Sequence, residues 1–394
     1  MPSPRPYDGI PTAEQEALQD PRVDPIGMGV AAMTGGLGAI PRAYAAAADG
    51  AAQYVMGSGL PYMAKLPLAM AVGHAIGKAT PKEFSEAIPF GAAARPPLVP
   101  DESGLNVVGM FDGIGGLAEG LKQSNLPVRK YSAYEVDPKA ARVASNNHPY
   151  IEHQGSIENF RPQDEPIDLL CGGFPCQDLS RGNPAGKGLE GDRSSLFWEM
   201  VRAIKEGNPR NWLVENVYPR GSANNDTVRR ISDALETDPV AIDAKDLSAM
   251  ARPRLFWSNM PIAGVAEPSP ARFADALDPA TDPKYWLSQR GIDYMNRPAG
   301  SSGMTHFQRH GMESTREKSL TIPRSASKGI PYNVVRLPDG SMRRLTPEEV
   351  EGLFGFPQGY TAGLPDSTRL GLLGNSFSVP VINHILKALG PKKP

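Results

Sequence analysis

The chain has 394 residues, enough for one large domain or two smaller ones, and its 41 glycines and 40 prolines describe a loop-rich globular protein. Its 41 Lys and Arg nearly balance 43 Asp and Glu, for a formal net charge of −2, which excludes a generally basic protein and confines any nucleic-acid affinity to a local patch. Cys171 and Cys176 are the only 2 cysteines, which excludes a disulfide framework and a cysteine-rich zinc site and suits a cytosolic, reducing setting.

Residues 1–100 differ from the rest. Met1–Asp20 is polar and proline-rich, without a signal-peptide pattern. Pro25–Gly77 is rich in Ala, Gly and Met and poor in charge, but glycines, prolines, Arg42 and Lys65 interrupt it. No segment there offers the ~20 apolar residues of a membrane-spanning helix. Two readings stand: a helical or weakly ordered extension, or a segment that contacts a membrane surface, a particle or a protein partner. Pro89–Pro100 reads as a linker.

Order begins at Leu105. Leu105–Phe111 is an apolar strand running into Asp112-Gly113-Ile114-Gly115-Gly116 and then a helical pattern. Strand, glycine turn and helix open a nucleotide-type βαβ unit, though a plain tight turn has the same spelling. Tyr131–Pro138 holds a second strand that ends in an acidic residue. Glu135 is placed to accept hydrogen bonds from a ribose, whereas Asp137, just before Pro138, fits a helix cap. With no GxGxxG and no following arginine for a second phosphate, a nucleoside cofactor without pyrophosphate fits better than NAD. A short strand near Ile151–His153 leads to Gly155-Ser156-Ile157.

The fourth strand, Ile167–Cys171, runs through Gly172-Gly173-Phe174 into Pro175-Cys176-Gln177. A strand that ends in a glycine turn delivers its next residues to the carboxyl edge of the sheet, where ligands bind. A cysteine there is a candidate nucleophile. Cys171, inside the apolar run, reads as packing. The glycine-rich loop Arg181–Asp192 is a candidate lid, and Ser194–Glu206 reads as a helix. The strand Asn211–Val217 places Glu215 at the same edge, either as a desolvated proton carrier or as a loop cap. Val228–Glu236 reads as a helix, and Pro239–Ala244 and Arg252–Ser258 read as strands. Strand alternation puts Arg252 and Arg254 on one face, pointing together into the site or into solvent.

Regular patterning weakens from Pro261 to about Met342. Residues 290–344 carry 10 Arg and Lys against 4 Asp and Glu, interleaved with Tyr294, Asn296, His306, Phe307 and Gln308. That composition suits base and phosphate contacts, or a merely solvated basic surface. Thr346-Pro347-Glu348-Glu349 spells a capping box with proline at the first helical position. Leu373-Gly374-Asn375-Ser376 opens a C-terminal helix that extends to Leu389.

Taken in order, these pieces resemble the cytosine-5 DNA methyltransferases. The residues that carry the resemblance are Phe111-Asp112-Gly113-Ile114-Gly115-Gly116, Glu135, Gly172-Gly173-Phe174-Pro175-Cys176-Gln177, Glu215-Asn216-Val217, Arg252-x-Arg254, Arg344–Glu348 to Gly355-Phe356-Pro357, and Gly374-Asn375-Ser376. The resemblance covers Leu105 to about Leu389. Asn183–Leu189, Ile242–Lys245 and Phe256-Trp257 look similar to the animal de novo branch, whereas Ser319–Val335 and the Gly374-Asn375-Ser376 end look like bacterial and phage members of restriction-modification systems. The tRNA-directed branch carries a Cys-Phe-Thr signature, and this chain has no third cysteine.

The resemblance implies an α/β, Rossmann-like S-adenosylmethionine-dependent methyltransferase fold with a small irregular target-recognition domain and the Ala/Gly-rich N-terminal extension. It implies an extension over 1–100, a catalytic domain over 101–260, a target-recognition region over 261–342 and a closing segment over 343–394. It implies double-stranded DNA as partner, no metal and a monomer. Cys176 is then the nucleophile on cytosine carbon 6, Glu215 the proton donor to ring nitrogen 3, and Arg252 and Arg254 the charged pair beside them. Phe111, Asp112, Gly113, Gly115, Glu135, Val136, Ser156, Ile157, Pro175, Asn375 and Ser376 would line the cofactor. Ser156 departs from the family, which usually has an acid there for the adenine amino group.

Overall fold

The computed structural model describes residues 102–175, 196–217, 222–300 and 303–390, with side chains of the 222–235 helix from Asp226 onward. The expectations for residues 1–100, for Cys176 and for the Arg181–Asp192 loop lie outside the described residues. No helix among the described residues is long and apolar enough to cross a membrane.

Five strands follow the expected apolar runs: β1 (Leu105–Met110), β2 (Val128–Tyr134), β3 (Ile151–His153), β4 (Leu169–Gly173) and β5 (Asn211–Val217). All 6 residues of β1 are buried, which is why that segment, Asn106 apart, reads as continuously apolar rather than alternating. β6 (Val240–Asp243) and β7 (Pro253–Ser258) complete a 7-stranded sheet of order β3-β2-β1-β4-β5-β7-β6. The β1–β5 pairings are parallel, and β7 runs antiparallel to both β5 and β6. Strand order reverses between β1 and β4, so the crevice at their carboxyl ends is the topological switch point, the usual ligand position of such sheets.

Helices cover both faces. α1 (Gly116–Gln123) packs Leu117, Ala118 and Leu121 with Val381, Ile382 and Ile385 of the C-terminal helix against one face. A Cβ on Gly120 would stand 2.6 Å from Ile382 Cγ2, so glycine is what lets the two helices close. α2 (Pro138–Asn147) begins at Asp137, whose carboxylate accepts the Lys139 N–H, and so fills the expected cap. α3 (Leu196–Gly207) and α4 (Ser222–Leu235) cover the other face with Phe197, Met200, Val201, Ile231 and Leu235.

The two glycines that end β4 have separate reasons. A Cβ on Gly172 would stand 2.5 Å from both the Met110 carbonyl oxygen and the Met200 methyl. A Cβ on Gly173 would stand 2.7 Å from Glu215 Oε2. Gly172→Ala is therefore expected to cost about 1–3 kcal/mol of stability by overpacking, seen as a lower urea midpoint at unchanged slope; an unchanged midpoint would refute the contact.

The weakly patterned stretch holds more order than its composition suggests. It contains the short helices α5 (Gln289–Met295) and α6 (His306–His310), strands β8 (Met312–Glu313) and β9 (Val334–Arg336), and β10 (Met342–Arg344), which reaches past the expected boundary at 342. β9 is the centre of this second sheet. Met295, Phe307, Val334 and Met342 form its own small core. Lys318 ties it inward: its Nζ donates to the carbonyls of Ser248, Ser269 and Ala271 at 3.1, 2.9 and 2.7 Å.

The chain closes with three helices. α7 (Pro347–Phe354) has the capping box of Thr346 and Glu349, and Glu349 also pairs with buried Arg343 at 2.6 Å. In place of one helix opening at Leu373, α8 (Asp366–Asn375) ends there and α9 (Val379–Leu386) follows. Pro380, suited to the first turn of a helix, marks the new start.

Candidate active site

Two groups of residues meet at the switch point. The first is the turn between β1 and α1. Phe111 has φ 52°, and Gly113 and Gly115 have φ 60° and 81°. Left-handed backbone at a bulky phenylalanine is uncommon and is held here by the strands on either side. The turn is also held from outside. Glu135, at the end of β2, accepts the Gly113 N–H on Oε2 at 2.9 Å and the Asp137 N–H on Oε1 at 2.7 Å. Tyr360 donates to the Ile114 carbonyl at 2.8 Å and lies 3.1 Å from His148 Nε2, both rings being buried.

Asp112 turns inward rather than toward the crevice. Its side chain is 4% exposed and occupies the space beside Gly109, and its Oδ1 accepts the Tyr131 hydroxyl at 2.5 Å. Burial pushes this carboxyl from its ordinary 3.8 up to about 7; the Tyr131 hydrogen bond opposes the rise and the charge of Glu135 adds to it. Between about pH 4 and 7 the folded protein thus keeps a proton that the unfolded chain has lost. Unfolding free energy falls as pH rises through that window, by up to roughly 4 kcal/mol, and is flat above it. Asp112→Asn, which cannot titrate, is expected to remove most of that slope in urea titrations between pH 5 and 8; an identical slope would contradict the assignment.

The other expected cofactor residues are distributed as follows. Val136 is 73% exposed, an apolar side chain offered to solvent beside Glu135. Ser156 caps a short 3-10 turn, accepting the Glu158 N–H and donating to Glu158 Oε2 at 3.1 Å. Ile157 is buried in the core. Pro175 is half-buried, Asn375 is exposed and Ser376 is buried. A Cβ on Gly116 would lie 3.1 Å from Ser376 Oγ, so the end of α8 is seated on the glycine turn.

The second group is built on β4, β5 and β7. Gly173 pairs in register with Glu215, and β7 places Arg254 opposite Val217, diagonal to Glu215 on the same face. Arg254 Nε meets Glu215 Oε1 at 2.8 Å, and each side chain is 15% exposed. Among the described residues Oε2 of Glu215 has no hydrogen-bond partner.

Arg252 does not join this pair. It precedes β7, its N–H donates to Asp243 Oδ1 at 2.7 Å, and its buried guanidinium turns to the carbonyls of Ile322, Gly374 and Ser376. The expected common face fails because Arg252 lies outside the regular strand. Cys171 is 1% exposed within β4, and burial pushes its thiol well up, as suits a packing residue.

Asn216 has a role that its sequence position did not assign. Buried at 2% exposure, it donates from Nδ2 to the Phe174 carbonyl at 3.1 Å and accepts the Val217 N–H on Oδ1. It fixes the chain that leads into Pro175. The available signal was alternation: a polar residue on the opposite face from Glu215 in an otherwise apolar strand must find a partner.

The geometry fits a nucleoside ligand at the first group: exposed Val136 for an apolar ring face, Glu135 for hydroxyls, and a backbone turn without side chains at Gly113 and Gly115. Each Glu135 oxygen accepts one N–H and keeps capacity for a second donor.

The sequence profile of the C-5 cytosine-specific DNA methylases matches residues 105–238 and 279–391, more than half of the chain. The chain is 27% identical over 357 residues to the type II methyltransferase M.HpaII of Haemophilus parainfluenzae, covering 76% of this chain and 95% of that protein. It is 28% identical over 341 residues to M.SsoII of Shigella sonnei, covering 78% and 88%. In fold it is similar to S. pombe Dnmt2 methyltransferase (TM-score 0.55, 18% identity, 72% of this chain and 98% of that one) and to the Entamoeba histolytica methyltransferase EhMeth (TM-score 0.55, 16% identity, 73% and 98%). With the profile matched over 105–238 and 279–391 and this sheet order beneath it, the chain belongs to the C-5 cytosine-specific DNA methylase family and has its Rossmann-like methyltransferase fold.

Proposed function

We propose that the chain transfers a methyl group from S-adenosylmethionine to carbon 5 of a cytosine flipped out of duplex DNA, through a covalent adduct to Cys176. The observation that carries this reading is the Glu215–Arg254 pair, set in register with Gly173 on the strand that leads to Pro175 and Cys176. Covalent connectivity alone tethers Cys176 within three residues of Gly173. The type II methyltransferases it resembles suggest the modification half of a restriction-modification system.

Cytosine carbon 5 is a weak nucleophile. Addition of the Cys176 thiolate to carbon 6 forms the carbon–sulfur bond and moves electron density to carbon 5 and ring nitrogen 3. Glu215, carrying a proton on Oε2, delivers it to nitrogen 3, while Arg254 holds Oε1 in place. Bound S-adenosylmethionine supplies the methyl group on a positively charged sulfur. Once carbon 5 is methylated, a base takes its proton, the carbon–sulfur bond breaks to restore the thiolate, and nitrogen 3 returns its proton to Glu215. The target must leave the base stack first, at a cost of a few kcal/mol. Glu135 would hold the ribose of the methyl donor, Val136 its adenine, and the backbone of Gly113 and Gly115 its chain.

The test is incubation of the full-length chain with methyl-labelled S-adenosylmethionine and either mixed-sequence duplex DNA or tRNA. Label in 5-methylcytosine from the duplex is expected. Label confined to tRNA, or none in either, overturns the proposal.

A further inference from the structure

Arg252 sits where three stretches of chain distant in sequence meet. Its Nη2 donates to the carbonyls of Ser376 and Gly374 at 2.8 and 3.2 Å, and its Nη1 to that of Ile322 at 3.4 Å. The guanidinium lies 4.9 Å over the Phe354 ring, and the residue is 5% exposed. The Ile322 segment is laced to the Arg252 segment: Ala251 N–H donates to the Ser319 carbonyl at 3.0 Å, and the Thr321 hydroxyl to the Ala251 carbonyl at 2.6 Å.

The end of α8 is pressed against the same segment. A Cβ on Gly374 would stand 2.6 Å from Arg324 N and 2.7 Å from the Pro323 carbonyl oxygen, so only glycine fits. The residues just beyond it reach both halves of the site. Ser376 seats on Gly116 of the donor turn, and Phe377 Cε1 would lie 3.3 Å from a Cβ on Gly173 beside Glu215. One guanidinium therefore fixes the peptides at 374 and 376 relative to 322, inside the target-recognition region. The planar guanidinium reaches these carbonyls from two separate nitrogens in fixed directions, a geometry that the single Nζ of a lysine does not reproduce.

We propose that Arg252 is a positioning residue that couples the recognition segment around Ile322 to the donor turn at Gly116, so that DNA and S-adenosylmethionine each tighten the other's binding. Reciprocity between the two affinities is required by linkage. The proposal rests on the reading of the chain as an S-adenosylmethionine-dependent DNA methyltransferase.

The experiment compares wild type, Arg252→Lys and Arg254→Lys as full-length chains. S-adenosylmethionine affinity is measured by calorimetry with and without a duplex that wild type methylates, and amide hydrogen exchange is followed in the unliganded proteins. Wild type is expected to bind S-adenosylmethionine about fivefold or more tighter with the duplex present. Arg252→Lys should bring that ratio to about one, raise KM for S-adenosylmethionine and leave kcat within about twofold. Exchange at 320–324 and 373–377 should rise together in this variant. Arg254→Lys should instead keep the coupling and lower kcat. Arg252→Met, which removes the charge as well, should show the same loss of coupling. Unchanged coupling in Arg252→Lys, no coupling in wild type, or faster exchange in only one of the two segments overturns the proposal. If wild type binds neither ligand, the functional reading fails instead, and the exchange comparison alone still decides the junction.

Discussion

Cys176→Ala is expected to abolish methyl transfer, by at least roughly 10⁴-fold, while S-adenosylmethionine binding stays close to wild type. The magnitude follows from what the thiolate does. Without a bond at carbon 6, carbon 5 has no enamine character. Alanine is smaller than cysteine and adds no bulk at the site, so the loss is chemical rather than structural. Cys171→Ala is the matching control. Its thiol is 1% exposed and its ionisation is opposed by burial, so that variant should lose stability but keep its turnover. Initial-rate assays of both variants, with thermal unfolding alongside, decide between the two cysteines. An active Cys176→Ala would remove the covalent mechanism.

Glu215→Gln is expected to lower kcat by about 10²–10³-fold, with KM for S-adenosylmethionine changed by no more than about twofold. Glutamine has the shape of glutamate and still offers Arg254 an oxygen, so the loss isolates the acid function. Glutamate can hand a proton to ring nitrogen 3, whereas the amide can only donate a hydrogen bond to it. Glu215→Ala would be a poorer test. It leaves the Arg254 guanidinium, 15% exposed, without its carboxylate and mixes stability with chemistry. Single-turnover rates at saturating S-adenosylmethionine give the relevant constant. A Gln variant within threefold of wild type would mean that the proton comes from elsewhere.

The parts of this molecule that the sequence made legible are those fixed by neighbours along the chain. β1 and β4 are near-continuous apolar runs, broken only by Asn106, because both faces of the parallel sheet are covered there. Asp137 before Pro138, and Thr346 three residues before Glu349, spell their caps outright. The Gly172-Gly173 pair reads as a turn but belongs to β4 itself, paired with Val214 and Glu215, one glycine clearing Met110 and the other Glu215.

What was not legible depends on residues far away. α8 (Asp366–Asn375) carries little apolar pattern. It is fixed instead by the flush backbone contact at Gly374 and by Arg369, whose guanidinium pairs with Glu351 at 2.8 Å and Glu348 at 2.7 Å. Arg252 read as a strand residue facing either the site or solvent, and its actual direction is set by carbonyls 70, 122 and 124 residues downstream. The weakly patterned stretch before α7 is organised by short strands and by Lys318 on three carbonyls, none of which leaves a period in the sequence.

The most direct measurement uses duplex DNA with fluorine in place of hydrogen at cytosine carbon 5. After methylation at that carbon no proton remains to be removed, so the carbon–sulfur bond cannot break and the enzyme stays attached. The chain, S-adenosylmethionine and this DNA should form a complex that survives denaturation, and peptide mass analysis should place the modified nucleotide on Cys176. An adduct on Cys171, or unmodified Cys176 in an enzyme that turns over ordinary cytosine, would contradict the account.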